Sequence, residues 1–201
     1  IRAKEVVISS GSIERPLVFG NNDTPGVLLS SAAKEYLKIY GVIVGKKPLI
    51  FTNNDSAYET AIEFKKNGID PIILDSRKEL DSDLINEAKN LNITIKFEHV
   101  VVNANGYRKV KSADVAKISE DKTSLGKIQK IDCDCICVSG FWTPTIHLAS
   151  QSGGKTKFSK EIDAFLPDQS KQNETTVGSA NGIFNLQDTL NNSFEVGYNL
   201  S

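Results

Sequence analysis

Leu49-Ile50-Phe51-Thr52-Asn53-Asn54-Asp55-Ser56-Ala57-Tyr58 opens the stretch that decides the fold, and Ile72-Ile73-Leu74-Asp75 closes it. The first three residues are a short unbroken apolar run, the pattern of a strand buried on both faces. Ala57, Tyr58, Ala61, Ile62 and Phe64 then mark one helical face, Ser56 and Glu59 stand at capping-box spacing, and Gly68 ends the pattern. Ile72-Ile73-Leu74 restores the apolar run. Residues 48–75 therefore read as a strand–helix–strand crossover, the unit from which a parallel sheet is wound.

The pattern extends in both directions. Upstream, Leu28, Leu29, Ala32, Ala33, Tyr36, Leu37 and Tyr40 predict a helix over 28–40, with Gly41 where a helix C-terminus favours glycine. Downstream, Leu84, Ile85, Ala88 and Leu91 give another amphipathic helix, and residues 93–95 a third strand. Between 97 and 131 the stretches 99–102, 110–118 and 128–131 alternate, and Asn105-Gly106 is a hairpin signal, so a small antiparallel meander is expected. Near the start, Val6-Val7-Ile8 is a strand closed by Ser9-Ser10-Gly11. After the apolar run at 133–138 the chain becomes loop-rich through Pro144, Gly153-Gly154 and Pro167, and helical spacing returns at 183–190. The fold class is α/β, a Rossmann-like domain with a β-meander.

Composition narrows the partners. The chain has 201 residues, 39% of them hydrophobic and 24% charged, with a net charge of -1. No block of five or six like charges occurs, so neither nucleic acid nor an anionic membrane is expected as a partner. No apolar run nears the roughly 18 residues of a membrane span. Ile1-Arg2-Ala3-Lys4-Glu5 has no initiator Met and no signal-peptide core, and reads as trimmed. Cys133, Cys135 and Cys137 fall on one face if their run is a strand. Their spacing is not that of a redox pair or a zinc knuckle, and inert buried thiols in a reducing cytoplasm are expected.

Thr52, Asn54 and Ala57 occupy the three places of a dinucleotide fingerprint, G-x-G-x-x-G/A. Glycine in the first place permits the tight turn, and in the second it lets backbone approach a pyrophosphate, so side chains there crowd a nucleotide. Asp75, eighteen residues beyond Ala57, stands where a carboxylate accepts ribose hydroxyls. A nucleotide unit that has lost its ligand is the competing reading. Ser10-Gly11 and the turn Gly178-Ser179-Ala180-Asn181-Gly182 are either ligand-approaching turns or plain punctuation. His147, after Phe141-Trp142-Thr143-Pro144-Thr145-Ile146, lines a pocket or interface or is an ordinary loop residue. Asp55 is expected to cap a helix. Neither His99 nor His147 has a nucleophile beside it, so no catalytic residue and no metal set is assigned.

Three segments carry a resemblance. Gly11-Ser12-Ile13-Glu14-Arg15-Pro16-Leu17-Val18-Phe19 with Asn22-Asp23, Phe51 to Tyr58, and Val138-Ser139-Gly140-Phe141-Trp142-Thr143-Pro144-Thr145-Ile146-His147-Leu148 closely resemble the alpha subunits of heterotetrameric sarcosine oxidases. Glu5-Val6-Val7-Ile8-Ser9-Ser10-Gly11 resembles the strand and turn closing the first domain of thioredoxin-reductase-like flavoproteins. The resemblance implies an assembly with beta, gamma and delta subunits that oxidatively demethylates sarcosine to glycine, using oxygen and tetrahydrofolate and yielding hydrogen peroxide. It implies NAD in the full-length alpha subunit, FAD and FMN associated with the beta subunit, and tetrahydrofolate in a C-terminal domain beyond this chain. It divides the chain into residues 1–40, a piece of a first FAD/NAD-type domain with a linker helix; 41–132, a second, NAD(P)-type domain; and 133–201, a return to the first. The first domain's glycine fingerprint would lie upstream of Ile1, so the fragment holds half a site: Ser10, Gly11, Gly178 and Asn181, the last where related reductases carry Asp. Asn54 and Asp75 mark the second-domain position. Residues 49–125 lack the C-x-x-C of the reductases, which disfavours dithiol chemistry. No catalysis is expected from the fragment alone, and self-association is left open. An opine-oxidase or cyanide-synthase-like dehydrogenase subunit, or a scaffold docking a partner through Phe141-Trp142, are the rival readings.

Overall fold

The computed structural model describes residues 3–200, so Ile1 and Arg2 of the trimmed-looking start lie outside the described residues. The chain forms two compact units, one of residues 14–141 and one of residues 1–13 with 142–201. Its first strands, β1 (Val6–Ile8) and β2 (Ser12–Glu14), lead into the larger unit.

The larger unit runs β3 (Val27–Leu29), α1 (Ser30–Tyr40), β4 (Pro48–Thr52), α2 (Ser56–Lys66), β5 (Ile72–Asp75), α3 (Asp83–Asn90), β6 (Thr94–Phe97), β7 (His99–Asn105), β8 (Ser112–Lys117), β9 (Gln129–Asp132) and β10 (Cys135–Ser139). Five strands build a parallel sheet in the order β3-β10-β4-β5-β6. Every residue of β4 and β10 is buried, as expected for strands covered on both faces. Successive side chains part to opposite cores. Ile50, Ile73, Cys135 and Cys137 join α1, α2 and α3, while Leu49, Phe51, Leu74, Ile136 and Val138 join the antiparallel meander β7-β8-β9 and Phe19.

Helix ends follow local chemistry. Gly41 takes a left-handed conformation, φ 64°, and its amide and that of Val42 return to Leu37 and Tyr36, closing α1. Gly68, φ 77°, does the same after α2, with Ile69 donating to the Phe64 carbonyl at 3.0 Å.

Several expectations are corrected. Leu28 and Leu29 are strand, not helix, because they pair with Cys137 and Val138 of β10, and that long-range ladder outweighs their helical spacing. The compact units divide at 13/14 and 141/142, with α1 and the central strand β10 packed inside the larger one, while 1–40, 41–132 and 133–201 is the division that the resemblance implies. Cys133 precedes β10 and joins the meander core, so the three buried thiols do not share a face.

The smaller unit continues with β11 (Trp142–Pro144), α4 (His147–Gln151), β12 (Lys155–Ser159), β13 (Ala164–Gln169), β14 (Glu174–Thr176), a 3-10 turn (Gly178–Asn181) and α5 (Leu186–Asn199). β1 and β14 pair in parallel, and β2 pairs with β11. The expected loops at 155–169 are instead the hairpin β12–β13, whose Phe158 and Phe165 rings meet edge to face at 5.3 Å. Its strands are largely exposed on both faces, so no clean alternation marks them in the sequence. The helix expected at 183–190 starts at Leu186 and runs to Asn199, because the Asn185 side chain accepts from the Asp188 amide at 3.2 Å and sets its first turn.

Candidate functional site

In an open parallel sheet, ligands bind outside the carboxyl ends of the strands where the strand order reverses. In the larger unit that place lies between β4 and β10, because the chain winds from β4 to β5 and β6 on one side while β3 and β10 lie on the other. The turn after β4 is filled by its own side chains. The Thr52 hydroxyl accepts from the Asn54 amide at 3.1 Å and donates to the Asn54 carbonyl at 3.0 Å. Asn54 Nδ2 donates to the Ser139 carbonyl at 3.2 Å and the Ser139 hydroxyl at 3.1 Å, tying the turn to the end of β10. Asn54 Oδ1 accepts from the Ser56 amide at 3.1 Å and the Ser56 hydroxyl at 2.6 Å. Asn54 therefore serves the start of α2, a role expected of Asp55 and of a Ser56–Glu59 box. The Asp55 side chain makes no cap, and Glu59 pairs with Lys34 at 2.6 Å.

Asp75 ends β5 and is fully buried. Its Oδ1 accepts from the Arg77 amide at 2.9 Å and Arg77 Nε at 3.0 Å; its Oδ2 accepts from Tyr58 Oη and Arg77 Nη2, each at 2.8 Å. Arg77 Nη2 also reaches Asp55 Oδ1 at 2.7 Å. Burial pushes the Tyr58 hydroxyl pKa well up, and the Asp75 charge adds to it. Burial opposes the charge on Arg77, but its bonds to Asp75 and Asp55 outweigh that and hold it above its ordinary range. Glu14, also buried, accepts from the Ser31 amide at 2.9 Å at the start of α1. Both helices are thus met by the chain's own acceptors, Glu14 for α1 and Asn54 for α2.

In the smaller unit, Ser10-Gly11 and the turn from Gly178 to Asn181 follow the carboxyl ends of the paired strands β1 and β14, and Val177 donates to the Ile8 carbonyl at 3.0 Å. Ser10, Gly11, Gly178 and Asn181 thus all come after the carboxyl ends of the strands of one two-stranded sheet. Ser10 Oγ donates to the Thr145 carbonyl at 2.6 Å, and the Gly11 carbonyl accepts from Thr145 at 2.9 Å. Gly178 has φ 65°, which favours glycine, and its amide donates to Asn192 Oδ1 at 3.3 Å. Asn181 is partly exposed in the 3-10 turn.

Other candidates are placed plainly. His147 is exposed at the start of α4, and Trp142 is half-buried in β11 rather than displayed on an exposed loop. Among the described residues, no group of three or more His, Cys, Asp or Glu is placed to hold a metal ion, and no helix is long and apolar enough to cross a membrane. The sequence reading missed Tyr58, Arg77, Ser139 and Glu14 as partners of the site. Arg77 carried a faint signal, standing two residues beyond Asp75, while Tyr58 was read only as part of an apolar face.

No family model matches the chain. It is 35% identical over 199 residues to the sarcosine oxidase subunit alpha of Corynebacterium sp. strain P-1, covering 98% of this chain and 20% of the relative. It is 35% identical over 181 residues to the subunit of the same name from Rhizobium meliloti strain 1021, covering 90% of this chain and 17% of the relative. The chain thus spans about one fifth of the length of these relatives. Its fold is shared with T. acidophilum thioredoxin reductase, at a TM-score of 0.78 and 17% identity over 98% of this chain and 65% of that one. Along nearly its whole length, the chain is a relative of one segment of the sarcosine oxidase alpha subunits.

Proposed function

We propose that this segment serves a sarcosine-oxidase-type alpha subunit as architecture, with a nucleotide-type larger unit whose own crevice is closed and a smaller unit that presents one side of a dinucleotide site. The observation that carries this reading is the state of the two larger-unit candidates: Asn54 and Asp75 are fully engaged by Thr52, Ser139, Ser56, Tyr58 and Arg77. A dinucleotide there would have to displace these bonds and pass the side chains that stand where the fingerprint has glycine. In the smaller unit, Ser10, Gly11, Gly178 and Asn181 form the edge that NAD of the full-length subunit would approach, and the neutral Asn181 offers hydrogen bonds without charge.

In the whole assembly, oxidative demethylation of sarcosine to glycine would use FAD and FMN associated with the beta subunit and tetrahydrofolate bound elsewhere, with beta, gamma and delta subunits as partners. The segment by itself would not catalyse it. Calorimetric titration of the chain with NAD tests this reading: binding weaker than about 100 μM is expected, and micromolar binding abolished by Asp75→Asn would overturn the closed crevice.

A further inference from the structure

Resting on the reading of the larger-unit crevice as a closed dinucleotide-type site, we propose that Arg77 is its specificity-determining residue, an internal cation that occupies Asp75 and so excludes the hydroxyl pair of a ribose. The argument begins with acceptor capacity. An ionised carboxylate offers about four lone-pair positions. Those of Asp75 are taken by four donors, the Arg77 amide and Nε on one oxygen and Tyr58 Oη and Arg77 Nη2 on the other, all at 2.8 to 3.0 Å. A ribose diol must donate two hydrogens to these same oxygens. Two of the four donors belong to the guanidinium, and those two alone can leave without moving the backbone or unpacking the core, since Tyr58 is fully buried.

Position supports the same role. Arg77 keeps only a quarter of its side chain exposed, and its Nη2 is pinned from the other side by Asp55 at the start of α2. One residue thus spans from the end of β5 to the entry of α2, the two elements between which an adenosine ribose lies in a dinucleotide-binding unit. A guanidinium is planar and bidentate toward carboxylates, so lysine would not reproduce the closure. The ligand class excluded is a nucleotide with a free 2′,3′-diol.

The test compares the chain with Arg77→Ala, with Thr52→Gly/Asn54→Gly, and with the three substitutions combined, each titrated calorimetrically with NAD after thermal melting has shown it folded. The triple variant is expected to bind NAD at least ten-fold more tightly than Thr52→Gly/Asn54→Gly, and adding Asp75→Asn should remove the gain. Equal affinity with and without Arg77, or no binding by a folded triple variant, would overturn the proposal. Micromolar NAD binding by the unsubstituted chain that Asp75→Asn abolishes would sink the closed-crevice reading instead. Should the triple variant not fold, Arg77→Ala is melted with millimolar methylguanidinium and with methylammonium. A rise of several degrees with the first alone supports Arg77 as the occupant of Asp75, and no difference between the two counts against it.

Discussion

Arg77 grips Asp75 with three separate donors, its backbone amide at 2.9 Å, Nε at 3.0 Å and Nη2 at 2.8 Å, so a buried carboxylate at the end of β5 is neutralised by a residue only two positions away. Removing one partner of a buried ion pair strands the other charge. Arg77→Ala should therefore lower the unfolding free energy by about 3–5 kcal/mol, and Asp75→Asn in the same background should recover part of the loss. Urea denaturation of the four proteins of this cycle measures the coupling, and independent, additive losses would contradict it.

The side-chain amide of Asn54 links two elements, the end of β10 through Ser139 and the start of α2 through Ser56. Replacement of Asn54 by Ala removes the bonds it makes to the Ser139 hydroxyl and the Ser56 amide, and about 1–3 kcal/mol should be lost. Hydrogen exchange reads this locally. The Ser56 amide should exchange faster in Asn54→Ala while the amides of α3 keep their protection.

Glycines of the larger unit should divide by surroundings rather than by residue type. A Cβ on Gly106 would lie 1.9 Å from the Lys109 carbonyl oxygen, a backbone atom that cannot turn aside, whereas a Cβ on Gly41 meets nothing within 4 Å. Gly106→Ala should cost about 1–3 kcal/mol by overpacking the β7–β8 turn. Gly41→Asn should cost less than about 1 kcal/mol, since Asn tolerates the left-handed conformation. Melting temperatures of the two variants decide the ranking.

Alkaline pH should weaken the fold. Burial, with the neighbouring Cys135, Asp134 and Asp132 adding to it, pushes the Cys133 thiol from its ordinary value near 9 up to about 12. A hydrogen bond with Cys135 and complete burial raise Cys137 in the same direction. Between pH 9 and 12 the unfolded chain gives up thiol protons that the folded chain retains. Stability is thus fully present below pH 9 and falls as pH rises, by up to roughly 1.4 kcal/mol per pH unit for each such group. Urea midpoints at pH 8, 10 and 11 should fall in step, less steeply in Cys133→Ala.

The apolar side of α5 carries little of the chain's own stability. Leu190 is 56% and Phe194 76% exposed, and no residue of the helix is buried. Phe194→Ser should therefore change the unfolding free energy by no more than about 0.5 kcal/mol. A larger loss in urea denaturation would mean that the ring is packed in solution.

Much of the larger unit was legible because it is written in short range. The apolar runs at 49–51 and 72–74, the helical face of α2 and the closing glycines Gly41 and Gly68 each state their structure within a few residues. Local pattern failed where pairing partners lie far off in sequence. Leu28 and Leu29 became strand because β10 lies alongside them, and β12–β13 escaped notice because neither of its faces is buried deeply enough to impose alternation.

The sequence by itself determined that this chain is α/β, that a crossover unit lies at 48–75, and that its fingerprint carries Thr52 and Asn54 in place of glycine, since each follows from periodicity or from the identity of a residue at a fixed offset. Only the tertiary structure decided what Asp75 does. A carboxylate at the end of β5 reads the same whether it faces a ribose or a guanidinium, and the choice rests on three contacts that no periodicity encodes: Tyr58 from the buried face of α2, Arg77 folding back over the strand end, and Asp55 holding Arg77 from the far side. Hydrogen-bond partners are fixed by where the backbone carries each donor, and that is a property of the assembled sheet.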